Sequence, residues 1–347
     1  MSNKPIGVIG AGSFGTTVAN LLAENSQVLI YARSKELFTQ MSTIGKSRDY
    51  LLHKNVIPVE TLEELATRSE IIFPVVSSSG FRSMMKDVAP YLYPYHTLIH
   101  GTKGLDVLLP NGHNIDDPDV IINRDNVKTM SEVILEESAV VKVGCLAGPN
   151  LAREIADKHP AATVVASRFD SVIADGQKLL RNDRFQVYGN KDLIGIELTG
   201  VLKNIIAIAS GALSGLGYGE NARALLVSRG MVEMIHLGKA LGGNTEAFIG
   251  LAGIGDLIAT CSSSLSRNFT VGYRLAKGEN LSQISSSMQE VAEGINTVRV
   301  INNFAKYYQF RAPITEKLHQ VLFGEATMEE ALEYLMKIPL NVDIDFL

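Results

Sequence analysis

"IGVIGAGSFGTTVANLLAEN" (6–25) is the stretch that decides the fold of this 347-residue chain. It opens on a short β-branched run, and Gly10, Gly12 and Gly15 follow in the G-x-G-x-x-G spacing where an amphipathic stretch begins. Each glycine has its own task in that context. Gly10 permits a tight turn, Gly12 lets the backbone approach a pyrophosphate, and Gly15 lets a helix pack closely on a strand. The helix start offers unpaired N–H groups and a positive dipole end to the phosphates. Within "SFGTTVANLLAEN" Phe14, Val18, Leu21 and Leu22 share one helical face, and the helix is expected to stop at Asn25. "QVLIYA" (27–32) then reads as a second strand, completing a strand, turn, helix, strand unit that predicts dinucleotide binding.

Working outward, β-branched runs recur at "EIIFPVV" (70–76), "TLIHG" (97–101), "VVKVGCL" (140–146), "ATVVAS" (162–167) and "FQVYGN" (185–190), separated by amphipathic stretches. This alternation predicts a parallel sheet wrapped by helices. From about Asp192 the strand runs disappear and helical patterns continue to "MEEALEYLMKI". The fold class expected is therefore α/β: a Rossmann-type doubly wound sheet domain over residues 1–191, followed by an all-α substrate domain over 192–347. The polar segment "LPNGHNIDDPDVIINRDN" (109–126) reads as a surface loop or hairpin inserted into the first domain. Residues 341–347 read as a tail.

Composition is that of a folded globular protein, with 46% apolar and 20% charged residues and 11 prolines. A formal net charge of -5 gives no overall attraction to nucleic acid or anionic lipid, so neither is expected as a partner. Two cysteines, Cys145 and Cys261, are too few for a disulfide framework or a zinc cluster. "MSNKP" leads directly into the glycine turn with no apolar leader, and the longest apolar stretch is interrupted by Glu197, Lys203 and Asn204. A cytoplasmic protein is the expectation.

Two further residues bear on chemistry. At the end of the second strand an acidic residue would bind a ribose 2′-hydroxyl, but "YARSKE" places Arg33 there. A guanidinium accommodates a 2′-phosphate and can also stack on adenine, so NADP(H) and NAD(H) both remain open. In "GIELTGVLKNIIAIASGALSGLGYG" (195–219) Lys203 lies on a helical stripe with Ile196, Thr199, Gly200, Ile206, Ala207 and Ser210. That face should be buried, and an amine on it needs an anionic partner or a cleft to open into.

With the glycine turn, "GTKG" (101–104), "AGPN" (147–150), "ELTGVLKN" (197–204), "GIGDLIATCSSSLSRN" (253–268) and "VAEG" (291–294) in this order, the chain resembles the NAD(P)-dependent sn-glycerol-3-phosphate dehydrogenase family over nearly its whole length. The resemblance implies a nucleotide domain, a helical substrate domain, a homodimer, and interconversion of dihydroxyacetone phosphate and glycerol 3-phosphate. Carried over by position, Lys203 is the catalytic proton donor and acceptor, and Asp256 bonds the reacting end of the substrate and holds that lysine. Ser266, Arg267 and Asn268 grip the phosphate, with Arg267 also reaching the cofactor. Lys103 faces both substrate and cofactor, and Gly148 and Asn150 contact substrate. Ser13, Phe14, Ala152, Val291 and Glu293 join Gly10, Gly12, Gly15 and Arg33 as cofactor contacts. No metal is implied.

The chain departs from the family pattern at three places. Asn150 stands where Ser or Thr is common, 109–139 is longer than usual, and Pro74 falls inside a predicted strand instead of just after it.

The mechanism expected places dihydroxyacetone phosphate between the domains, with hydride passing to C2 and Lys203 protonating the forming alkoxide. Another two-domain β-hydroxyacid or sugar-acid dehydrogenase is a rival, but those tend to place an asparagine one turn beyond the lysine, where this chain has Ala207. A non-catalytic dinucleotide sensor is a second rival, disfavoured because a sensor has no use for a proton donor.

Overall fold

The computed structural model describes residues 4–110, 112–115, 117, 119–288 and 292–337. It divides into two compact units, one formed by the chain up to Asp106 with Thr129–Glu197, the other by Val107–Lys128 with the chain from Leu198 onward.

The first unit is built on an eight-stranded sheet of β1 (Ile6–Ile9), β2 (Val28–Tyr31), β3 (Val56–Val59), β4 (Ile71–Pro74), β5 (Thr97–His100), β6 (Lys142–Ala147), β7 (Ala161–Ser167) and β8 (Phe185–Asn190). Its order is β8-β7-β6-β5-β4-β1-β2-β3. All neighbours are parallel except β6 and β7, which run antiparallel. Side chains alternate faces along each strand, and two hydrophobic clusters record it. Val8, Ile30 and Phe73 belong to one cluster, and their neighbours Ile9, Leu29 and Ile72 to the other. Strands covered on both faces read as continuous apolar runs, which is why "IGVI" and "VLIY" were legible.

The chain leaves β1 toward β2 and β3, then returns to place β4 on β1's other side. This reversal creates the switch point at which ligands of open α/β sheets bind. Pro74 closes β4 from within: it pairs with Ile9, its carbonyl accepts from the Gly101 N–H at 2.9 Å, and the ladder passes to Val75, whose N–H reaches Ile9 O at 2.8 Å. The strand therefore ends two residues earlier than the predicted 70–76. Sequence reading missed β3, an edge strand containing Pro58, since proline weakens the strand signal and is tolerated there.

The second unit is helical. Its main elements are α2 (Leu193–Gly215, whose first turn belongs to the first unit), α3 (Glu220–Ala240), α4 (Asp256–Ser262), α5 (Arg267–Ala276), α6 (Glu293–Tyr308), α7 (Pro313–Leu322) and α8 (Met328–Lys337). By length and composition α2 could cross a membrane, yet 89% of its most apolar window is buried inside the fold. It meets α5 backbone to backbone. A Cβ on Gly211 would stand 1.9 Å from Phe269 O, and one on Gly272 would stand 1.8 Å from Ile208 O.

The segment 109–126 belongs with the helices and not with the sheet domain into which the sequence placed it. Arg124 holds it there, donating to Leu241 O at 3.0 Å while its own backbone N–H reaches the Tyr308 hydroxyl at 3.2 Å; Asn303 donates to Ile115 O at 3.0 Å. Polar loop composition gives no sign of such distant partners. The predicted tail, 341–347, lies outside the described residues.

Candidate active site

The first unit's contribution begins at the glycine turn between β1 and α1 (Ser13–Ala23). Gly10 has φ +113, and a Cβ there would meet Val75 O at 2.2 Å, so the turn and the end of β4 touch at the switch point. A Cβ on Gly15 would lie 2.1 Å from Gly10 O. Gly12 caps α1 with extended backbone and no side-chain hydrogen bond, leaving the first helical amides without a side-chain cap. A cradle that only glycine fits, ending in an uncapped helix start, suits a pyrophosphate. A Cβ on Gly101 would lie 3.0 Å from the Phe14 ring, and Ser13 O accepts from the Thr17 hydroxyl at 2.8 Å. Arg33 is exposed at the carboxyl end of β2.

Beyond β5, Thr102 donates to Val76 O at 2.7 Å, and the half-buried Lys103 reaches Gly148 O at 3.1 Å. This ties the turns after β4, β5 and β6 together. Asn150 is engaged with β7: its amide donates to Ala162 O at 3.0 Å, and its oxygen accepts from the Thr163 hydroxyl at 2.9 Å. The position marked as a substrate contact thus shapes the turn that presents Gly148. Ala152 opens the short helix Ala152–Ala156.

The first unit also holds a buried polar group. The Glu197 carboxylate accepts from the Ser131 N–H at 2.9 Å and from the Ser131 hydroxyl, and its Oε1 stands 2.9 Å from His100 Nε2, off the angle of a proper hydrogen bond. Burial alone would push this carboxyl up, but His100 and the two Ser131 donors outweigh it and hold it below the usual range. Burial also raises the Cys145 thiol well above its ordinary value, so it is an inert core group.

In the second unit Lys203 is 5% exposed and Asp256 1%. The lysine Nζ donates to Asp256 Oδ1 and, at 2.6 Å, to the Thr260 hydroxyl oxygen. A single π-helical turn, Leu251–Gly255, precedes Asp256. The first turn of α4 then places Asp256 and Thr260 one above the other, with the Thr260 hydroxyl 2.6 Å from Asp256 O. Sequence reasoning missed Thr260, although its i,i+4 spacing from Asp256 was the available signal. Desolvation acts against both charges of this pair and their mutual attraction acts for them. The nearby Cys261 thiol is pushed up to about 12, first by burial, with Lys203 lowering it and Asp256 raising it.

Ser266 is the N-cap of α5, its hydroxyl accepting from the Phe269 N–H at 3.3 Å. Arg267 is exposed at the first helical position, and Asn268 is 8% exposed. The Asn268 oxygen accepts from the Gly294 N–H at 3.0 Å, so the starts of α5 and α6 converge on one amide whose NH2 group can serve an anion. Glu293 is half-buried at the first position of α6. Val291 lies outside the described residues. Among the described residues no cluster of His, Cys, Asp and Glu could hold a metal ion.

Residues 5–172 match the family model described as NAD-dependent glycerol-3-phosphate dehydrogenase N-terminus, and residues 192–333 match the corresponding C-terminus. A glycerol-3-phosphate dehydrogenase (NAD(P)+) of Ectopseudomonas mendocina is 38% identical, and one of Pseudomonas putida 40%, each over 99% of this chain and 97% of the relative. The crystal structure of a glycerol-3-phosphate dehydrogenase from Coxiella burnetii superposes with a TM-score of 0.86 at 30% identity, covering 96% of this chain and 99% of that one. Extending over both units and nearly the full length, these matches place the chain in the NAD(P)-dependent glycerol-3-phosphate dehydrogenase family.

Proposed function

We propose that this chain interconverts dihydroxyacetone phosphate and sn-glycerol 3-phosphate with NAD(H) or NADP(H). The observation that carries the reading is a buried amine, Lys203, held by Asp256 and Thr260 in a chain that also has the glycine cradle and the Ser266-Arg267-Asn268 helix start.

Gly10, Gly12, Ser13, Phe14 and Gly15 would hold the dinucleotide phosphates, with Arg33 at the adenosine end and Ala152, Val291 and Glu293 as further contacts. When bound, the cofactor supplies the hydride. Ser266, Arg267 and Asn268 bind the substrate phosphate with a hydroxyl, a guanidinium, an amide and two helix starts, an arrangement suited to a dianion. Lys203 donates a proton to the oxygen at C2 as negative charge develops there, and takes it back in the reverse direction. Asp256 and Thr260 fix the Nζ position, and the proton returns from solvent between turnovers. Lys103 adds a second positive charge toward substrate and cofactor, beside Gly148 and with Asn150 shaping that turn. We further propose that the chain works as a homodimer in the cytoplasm and supplies the glycerophosphate backbone of phospholipids. The reduced, buried Cys145 and Cys261 are in keeping with that compartment.

The test mixes the chain with NADH or NADPH and follows absorbance loss on adding dihydroxyacetone phosphate or unphosphorylated dihydroxyacetone. Rapid oxidation with the phosphate ester alone is expected. Equal rates with both ketones would favour a different hydroxyacid or sugar dehydrogenase, and binding without oxidation would favour a sensor.

A further inference from the structure

The helical unit contains a cavity of about 450 Å³ that the reaction above does not use. Aliphatic side chains form its walls: Ala209 and Leu213 from α2, Leu226 from α3, Leu318 from α7, and Leu332 and Leu335 from α8. Its volume falls in the range of small-molecule pockets. The polar groups on its lining are unequal in sign. Among the described residues Arg229, His236, Arg311 and Lys317 are basic, and Glu233 is the one acid.

That acid is already committed. Glu233 is 5% exposed, and its carboxylate accepts the N–H groups of Ile314 and Thr315 at 2.9 Å each, together with the Thr315 hydroxyl, capping the start of α7. It faces the helix start and pairs with neither Arg311 nor Lys317. Lys317 donates to Gln320 and lies 4.0 Å from the Tyr334 ring centroid; Arg311 is exposed just before α7. The lining therefore combines an aliphatic interior with two cations, Arg311 and Lys317, on the α7 side.

From this complementarity we infer that the cavity binds a single-chain amphiphile with an anionic head, an alkyl carboxylate of medium to long chain. The chain would lie against the leucines of α2, α3, α7 and α8, and the carboxylate would meet Arg311 and Lys317. The inference is independent of the proposed reaction, because binding can be read without turnover.

The chain has no tryptophan, so the fluorescence of a polyene fatty acid, cis-parinarate, reports binding cleanly. Titrated below its micelle concentration, it should saturate at one site per chain. Saturated carboxylates should displace it, with Kd falling about fourfold per added methylene. The matched alcohol should bind at least tenfold more weakly than the carboxylate. Arg311→Glu should remove that preference, and Ala209→Phe, which fills the cavity, should abolish binding; both should leave turnover without ligand unchanged. Equal affinity for alcohol and carboxylate, or for wild type and Arg311→Glu, would overturn the inference. So would binding that appears only after deletion of residues 338–347, or only in monomers separated from a dimer, since the chain's own end or a second copy would then be the occupant.

Discussion

Replacing Asp256 by Leu should destabilise the helical unit by about 3–5 kcal/mol, because it takes the bonded carboxylate away from an ammonium that is 5% exposed. Lys203→Met should cost a similar amount, since it removes the cation that donates to Asp256, a carboxylate 1% exposed. The double variant, Lys203→Met with Asp256→Leu, should recover most of that loss, because well-packed apolar groups of similar volume substitute for a buried ion pair with little penalty. For a unit of about 170 residues, a loss of 3–5 kcal/mol lowers the melting temperature by roughly 6–20 °C. Far-UV ellipticity would follow the melting, since this unit is helical, and loss of NADH absorbance would follow turnover. Activity and stability should then separate. Lys203→Met should lose about 10²–10⁴-fold in turnover, and the double variant should fold yet remain as inactive. Two results would refute this reasoning: a double variant no more stable than the worse single one, or a Lys203→Met enzyme with near-normal turnover.

Arg33→Asp should shift cofactor choice toward NADH by about 10–100-fold in the ratio of kcat/KM values, as a charged hydrogen bond to a 2′-phosphate contributes roughly 1.5–3 kcal/mol; an unchanged ratio would detach Arg33 from the adenosine end. Asn150→Ala should cost about 0.5–1.5 kcal/mol of stability for each bond lost, to Ala162 O and from the Thr163 hydroxyl, which keeps Ala147 O at 3.1 Å, and should lower turnover through the displaced Gly148 turn; a rise in KM alone, with stability intact, would restore Asn150 as a direct substrate contact. Glu197 has a folded-state pKa below its ordinary 4.5, so its stabilisation is fully present above that value and is lost as pH falls through the lower folded value. The gap in urea midpoint between wild type and Glu197→Gln should therefore narrow on acidification, and a gap that widens would reverse the assignment.

What could be read from sequence follows from where each constraint acts. Gly10 and Gly15 were legible because a Cβ at either position would collide with backbone, so the constraint is written into residue type within a few positions. Lys203 was legible as an anomaly, a charge on an apolar stripe. Thr260 was not, since a threonine in "DLIAT" suits many roles, and its own depends on the π-helical turn that sets where α4 begins. The group of Glu197 with His100 and Ser131 joins residues 97 and 66 positions apart, beyond any periodicity. The segment 109–126 was misplaced for the same reason: its partners Leu241 and Tyr308 lie more than a hundred residues away.

Helix α2 shows how these constraints combine in one element. Its hydropathy would suit a membrane span, its glycines lower its helix propensity, and its charges should oppose burial. Each objection is met by a particular neighbour. Glu197 accepts from Ser131, Lys203 donates to Asp256 and Thr260, and Ser210 donates to Cys261 O at 2.8 Å. Gly211 is required because Phe269 O already occupies the place of its side chain. Apolarity is then the ordinary consequence of being surrounded by protein, and the polar residues are the informative ones. Each buried donor or acceptor obliges a complementary group elsewhere in the chain, so the helix fixes the identities of Asp256 and Ser131 as firmly as they fix its own.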